Sequence, residues 1–466
     1  MCAWGLVTRS ASWVCRPRTV NEIRQVFAAA RAAGLSVGLR GGGQSYGDAA
    51  LNAGNVCLDL TDMNRILAWD PDRGIVVTEP GVTIQQLCRS IVGQGWWPYV
   101  VTGTMFSTLG GCAAMNVHGK NHWKVGPIGD HILDFDLLLP TGEIRRCSRE
   151  ENVDLFHAAI GGFGMLGCFT RLTLRVQKVP SGWLRVEPIP VRNLDEMIAV
   201  FEERKDAADY LVGWVDGFPL GAATGRGLVH RATHVPAEED PDPRRGFGPE
   251  VQRLPGAILG LVPAQLAWRI VRPFLRDPEV RLVNAVRYHL GRLEGHRVRR
   301  ESHTRFSFLL NRMPNWQHAY GRHGLVEYQS FIPAAHAAHV FRAQIGLAHE
   351  AGVIPYMGIF KRHRPDAFLM SYAVDGFSLG LDFKLTPRNR ERIRALAARL
   401  DRLVLEAGGR FYFAKDSTLT PESFAPCLAE ERVRRFLAIK RACDPEGLLE
   451  TDLFRRIFRD VQGAST

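Results

Sequence analysis

The chain has 466 residues, 46% hydrophobic and 23% charged, with 59 Lys and Arg against 48 Asp and Glu and a net charge of +11. This composition excludes a disordered or fibrous chain, and the length allows two or three domains. No apolar run reaches the ~18–20 residues that span a bilayer: the stretch 254–268 is broken by Pro255, Gly256, Gly260 and Pro263. Arg9 follows only a short apolar start, so no secretory signal is expected.

From 12 to 180 the pattern alternates helix and strand. The spacing predicts a helix over 19–33, capped by Thr19 or Asn21, with Val20, Ile23, Phe27 and Ala30 on one face and Gly34 as the stop. An apolar strand over 35–39 runs into the loop 40–48. Strands follow at 56–60 and 74–78, then a helix at 84–91. A strand pair, 132–139 and 143–146, surrounds the Pro140-Thr141-Gly142 turn. A short helix at 154–160 and an alternating strand at 169–176 close this half. Beyond Pro180, residues 230–251 are rich in Pro, Gly and mixed charge and read as a long, flexible surface loop. Strands return at 325–332, 353–360 and 377–383, and arginine-bearing helices at 388–406 and 430–443.

Nine scattered cysteines, odd in number and without a CxxC pair, argue against a disulfide framework or a zinc site. They read as small buried apolar residues in a reducing compartment.

Glycines are the strongest local signal: Gly41, Gly42 and Gly43, then Gly103, Gly110 and Gly111, then Gly161, Gly162, Gly164 and Gly167. Lacking a Cβ, such runs let backbone N–H groups approach a phosphate or a flat ligand. Residues 162–167 match GxGxxG, but a helix precedes them and a strand follows. That reverses the dinucleotide fingerprint, so no NAD site is expected there. His118-Gly119-Lys120-Asn121-His122 spaces two histidines by four, yet a glycine interrupts it and the HExxH glutamate is missing. Polar side chains around an anionic or redox cofactor are expected there rather than zinc, and no metal site is predicted. Ser417 has no GxSxG context. The aromatic run 411–413 closes on Ala414-Lys415-Asp416, where partial desolvation would lower the lysine pKa, as in catalytic lysines. The plainer reading is a snorkelling surface lysine.

The series Arg40-Gly41-Gly42-Gly43-Gln44-Ser45-Tyr46-Gly47-Asp48, Gly103-Thr104, Gly110-Gly111, His118 to His122 and Ala414-Lys415-Asp416 resembles the vanillyl-alcohol oxidase superfamily of flavoproteins. Within it, the chain is most similar to the decaprenylphosphoryl-ribose oxidases. The likeness runs from about residue 8 to 456 and takes in Tyr328-Gln329, Phe360-Lys361, Asp382-Phe383 and Asp444-Pro445.

The resemblance implies an α+β fold with a two-part, PCMH-type FAD-binding domain over 1–190. A substrate domain on an antiparallel sheet would cover 191–405, with a flexible basic segment at 230–312, and 406–466 would return to the flavin. Arg40, Gly41, Gly42, Gly43, Gln44, Ser45, Tyr46, Gly47, Gly103, Thr104, Gly110, Gly111, His118, Gly119, Asn121, His122 and Tyr412 would hold FAD. Many members tether FAD through a histidine after the glycine run; Gln44 stands here, so non-covalent FAD is expected. Lys415 and Tyr46 would be catalytic, and His118, Lys120, Tyr328, Gln329, Lys361 and Gly380 would bind substrate.

The implied reaction is oxidation of a secondary sugar alcohol, hydride passing to flavin N5, on a polyprenyl-phosphate-linked pentose. A short-chain reductase would complete an epimerisation, and quinone or oxygen would reoxidise the flavin. The alternative within the superfamily is a sugar-lactone or aldonolactone oxidase, or a sterol-type reductase. Gly380, Ser378 and Leu309-Leu310-Asn311 depart from the mycobacterial pattern of the substrate domain. No nucleic-acid-binding motif accompanies the basic charge. Between 266 and 312 eleven arginines face four carboxylates, beginning where the apolar 254–268 stretch ends. That pairing predicts a cytoplasmic protein attached peripherally at the anionic inner face of the membrane.

Overall fold

Three larger sheets and one two-stranded ribbon organise the chain in the computed structural model, which describes residues 1–258 and 260–463. Leu259, within the apolar 254–268 stretch, lies outside the described residues. The first sheet is parallel, in the order Trp13–Cys15, Val56–Asp59, Val37–Arg40. Against it packs the helix Val20–Ala32, whose N-cap Thr19 accepts a hydrogen bond from the Glu22 N–H at 3.2 Å, while Gly34 takes a φ of +64° just past its end. The second sheet is antiparallel and centred on Cys168–Lys178, which pairs with Ile75–Thr78, Trp96–Pro98 and Ile132–Leu138. Seven of the nine cysteines are buried.

The third sheet is the floor of the molecule's central cleft. Its eight strands are antiparallel and run Arg299–Ser302, Trp183–Val191, Gly227–His234, Tyr210–Val215, Met357–His363, Gly376–Lys384, Leu325–Pro333, Arg410–Phe411. The helices Ala334–Glu350 and Arg390–Glu406 cover one face with buried Phe341, Ile345, Leu396 and Leu400. The other face looks toward the glycine loops. The fold is thus α+β, with a half that carries the glycine loops and a separate antiparallel platform.

The segment expected to be a flexible loop differs. Residues 227–234 are an inner strand of the platform, because Leu228, Val229 and Ala232 find buried positions on it; the charge and prolines that suggested a loop begin only after His234. The wider 230–312 region carries the 18-residue helix Asp277–Glu294. Its residues Val280, Asn284, Tyr288 and Gly291 recur at helical spacing and pack onto the platform; a Cβ on Gly291 would lie 2.5 Å from Leu228. The strand expected at 353–360 begins at Met357, after Pro355, which has no N–H to give a ladder.

The C-terminus returns across both halves. Leu449 bridges Val37 in the first sheet, and Phe454 and Phe458 join an aromatic cluster with Phe163, Phe424 and Phe436. Arg456 grips Asp48 bidentately, at 2.8 and 2.7 Å, and reaches Asp416 at 2.8 Å. One guanidinium therefore joins the glycine loop to the residue after Lys415. Arg456→Met leaves two largely buried carboxylates unpaired and is expected to cost about 3 kcal/mol, read as a lower midpoint in urea unfolding.

Candidate active site

The loop after the Val37–Arg40 strand can approach its neighbour only because it is glycine. A Cβ on Gly41 would lie 2.0 Å from Thr108 Oγ1, and one on Gly42 would lie 2.2 Å from the Phe106 carbonyl. Gly43 takes a φ of +62°. Thr108 caps the short helix Leu109–Ala114 and also accepts from the Gly42 N–H, at 3.4 Å. Gln44 is locked inside the loop, donating to the Gly42 carbonyl at 2.8 Å and accepting from Thr104.

These loops wall one end of a cleft whose other end is the platform. Of the residues singled out from sequence, Arg40 to Tyr46, Gly103, Thr104, Gly110, Gly111, His118, Gly119, Lys120, Gln329, Lys361, Tyr412 and Lys415 line it. Five do not. Gly47 packs against Asp416, whose carbonyl would lie 1.8 Å from an added Cβ. Asn121 donates to the Tyr99 carbonyl at 2.9 Å and holds the chain rather than a ligand. His122 lies behind His118, its ring 4.7 Å from that of His363. Tyr328 points to the opposite face of its strand, where its hydroxyl donates to Asp401 at 2.9 Å, because alternate residues of a strand face opposite ways. Gly380 lies beneath Glu327, whose Oε1 would be 2.8 Å from an added Cβ.

Lys415 is neither a bare desolvated amine nor a surface lysine. Its Nζ is 2.8 Å from Glu327 Oε2 and 3.5 Å from the centre of the Tyr46 ring. Arg456 and the Tyr46 N–H to Ala414 carbonyl bond, 2.9 Å, fix its backbone against the glycine loop. Burial, and then the Glu327 charge, push the Tyr46 hydroxyl well above its usual range. Burial and neighbouring Lys361 hold His118 well below the ordinary histidine value, so it is a neutral imidazole. Its Nδ1 lies 3.4 Å from Lys361 Nζ, and its Nε2 is buried without a partner among the described residues. Burial lowers Lys361 to about 8, with Lys415 adding to the effect. Burial likewise lowers Lys120 to about 7, with Lys361 next, while its ammonium is held by the Phe306 and Ser307 carbonyls.

Sequence reasoning missed Glu327, the hub of this arrangement. Its signal was a glutamate as the one charged residue of the buried Leu325–Pro333 strand, a position carboxylates rarely take unpaired. Leu310 was quoted only as a departure from the family pattern, yet it lines the cleft, and its neighbour Asn311 accepts from the Met105 N–H at 2.8 Å. Phe163 and Gly164, from the rejected GxGxxG run, also line it, between a preceding helix and a following strand.

Comparison with known proteins agrees with this geometry. An FAD binding domain family matches residues 11–148. Decaprenylphosphoryl-beta-D-ribose oxidase of Mycolicibacterium smegmatis is 30% identical over 98% of this chain and 97% of its own. The chain belongs to the FAD-linked oxidase family of the vanillyl-alcohol oxidase type. It is an FAD-dependent oxidoreductase. D-lactate dehydrogenase of Anaerostipes hadrus is 33% identical over 36% of this chain and 34% of its own, and L-gulonolactone oxidase of Bos taurus 28% identical over 42% and 43%.

The cleft fits FAD. The glycine-walled end offers backbone and Arg40 to a pyrophosphate, and the only carboxylate lining the cleft among the described residues, Glu327, stands at the platform end. The unpartnered His118 Nε2 is a polar group left for a ligand. Gly41→Ala must push the two glycine-walled loops apart. It is expected to purify with less than a tenth of the wild-type flavin, measured by absorbance per polypeptide.

Proposed function

We propose that the protein oxidises a secondary alcohol on a sugar carried by a polyprenyl phosphate, the first half of an epimerisation that a short-chain reductase completes. FAD bound in the cleft supplies the hydride acceptor, and quinone or oxygen takes the electrons onward. Gln44, its amide tied within its own loop, offers no covalent tether, so FAD is held by contacts alone.

The observation that carries this reading is the distribution of charge around the cleft. Its platform end gathers Lys120, Lys361 and Lys415 with one lining carboxylate. Arg312, which shares Glu301 with Arg299, adds positive charge beside Lys120, and Arg287 stacks 4.2 Å over Trp214. A concave site with this excess of cations attracts an anionic phosphoester. Lys415 orients the sugar hydroxyl, Gln329 and His118 offer hydrogen bonds to the other oxygens, and Leu310 and Trp4 exclude water.

The helix Asp277–Glu294 turns a second apolar stripe to solvent: Leu282, Val286, Leu290 and Leu293, the last 83% exposed. Ile270 and Phe274, just before the helix in the chain, are exposed as well. No helix among the described residues is long and apolar enough to cross a membrane. An apolar stripe flanked by arginines suits the anionic inner face of a membrane, where each base adds about 1 kcal/mol. A lipid tail could then stay in the bilayer while its sugar reaches the flavin.

Anaerobic mixing with a polyprenyl-phosphate pentose is expected to bleach the flavin, and Lys415→Ala to slow that about 10²–10⁴-fold. Bleaching by soluble aldonolactones alone would favour the lactone-oxidase alternative. Because an anionic substrate pairs only with protonated lysines, its KM is expected to rise from about pH 6 to 9, and Lys120→Met to flatten that rise. Replacing Leu282 and Leu290 by Glu is expected to abolish co-sedimentation with anionic vesicles while sparing turnover of a detergent-dispersed substrate.

A further inference from the structure

We propose that Glu327 and Asp382 hold one proton between them, and that this pair takes up the substrate's hydroxyl proton through Lys415. The proposal rests on the alcohol-oxidation reading above and names where the proton goes.

The platform register brings the pair together. Glu327 and Asp382 are directly opposite on the antiparallel strands Leu325–Pro333 and Gly376–Lys384. Residues so placed have Cβ atoms about 4.5–5.5 Å apart on one face, and here that face is the one carrying cleft-lining Gln329. Glu327 is 8% exposed and Asp382 2%. Glu327 has Lys415 at 2.8 Å, while Asp382 Oδ2 has no hydrogen-bond partner among the described residues. With Lys415 on Glu327 and no cation on Asp382, the two facing, buried carboxylates repel, and Asp382 is the one that keeps its proton. Burial, and then the Glu327 charge, push Asp382 well above the usual carboxylate range.

The groups around the pair agree with this state. Tyr46 from the glycine loop, Tyr320 from the turn Trp316–Tyr320 and Tyr412 from the C-terminal segment are phenols that burial keeps neutral. Lys361 reaches the pair from the adjacent strand, and His118 beside it is uncharged. The pair's one negative charge therefore answers Lys415.

That ion pair changes what Lys415 can do. An ammonium bound to a carboxylate has no lone pair with which to take a proton. It can accept one only as it gives one up. In the balanced step the substrate O–H bond breaks as an N–H bond forms on Lys415, while a different Lys415 N–H breaks as an O–H forms on Glu327. The C–H electron pair leaves as hydride to FAD, and the carbinol becomes a carbonyl. Lys415 ends as it began, cationic, and the pair ends with two protons.

The test uses the FAD-loaded enzyme in two measurements. Infrared spectroscopy without substrate at neutral pH is expected to show a buried carboxylic acid C=O stretch that Asp382→Asn removes; spectra without that difference would overturn the shared proton. In stopped-flow flavin reduction, Glu327→Gln keeps a hydrogen-bond acceptor for Lys415 but cannot take a proton. It should slow reduction about 100-fold or more with substrate affinity within a few-fold, and Glu327→Asp should recover part of the rate. Glu327→Gln within tenfold of wild type would make Glu327 a holder of Lys415 only and overturn its role as acceptor. If Glu327→Gln does not fold, the Asp382→Asn spectrum decides the shared proton and the Glu327→Asp rate decides the acceptor role. If no sugar alcohol reduces the wild-type flavin, the oxidation reading fails while the infrared band still reports on the pair.

Discussion

Arg456 stands near the end of the chain, yet the Lys415 end of the cleft is assembled around it. Its guanidinium holds Asp48, which closes the glycine loop, and Asp416, which follows Lys415. Burial alone would weaken such a cation, but the two carboxylates outweigh it and hold the guanidinium firmly charged. Everything that touches Lys415 follows from this clamp. Tyr46 comes under its ammonium, Ala414 accepts from the Tyr46 N–H, and Glu327 rises from the platform to complete the group.

The platform makes the second decision, through the two-residue period of its strands. Glu327, Gln329, Gly380, Asp382, Ile359 and Lys361 share the cleft face, whereas Tyr328 falls on the helix face with Asp401. Gly380 lies below Glu327 with space for little more than hydrogen. A larger side chain there would have to displace the carboxylate that holds Lys415. Of the departures from the family pattern in this region, Gly380 meets that carboxylate, while Ser378 meets Gln329 and His363.

Much of this was legible in the chain. Helix caps, apolar periodicity and turn residues gave the helices at Ile84–Ile91 and Glu430–Cys443 and the strand pair around Pro140-Thr141-Gly142, since those signals are local. The glycine loops were legible because close backbone approach leaves no other residue type. The strand Gly227–His234 was not, because composition averaged over 230–251 hid five residues that only their strand partners stabilise. Glu327 was not, because a lone carboxylate in a buried strand becomes meaningful only when its partners, 55 and 88 positions further along the chain, are known.

By itself, then, the sequence determined the cofactor class, through glycine runs and a lysine and tyrosine in a specific order, and the basic stretch that gives the chain most of its net charge of +11. The tertiary structure alone decided which residues share the cleft, that Lys415 is paired, and that the arginine stretch presents an apolar stripe outward. Glycine and helix signals act over a few residues, so a linear pattern carries them. Ion pairs, strand register and solvent exposure are relations between distant segments, and only packing brings those together.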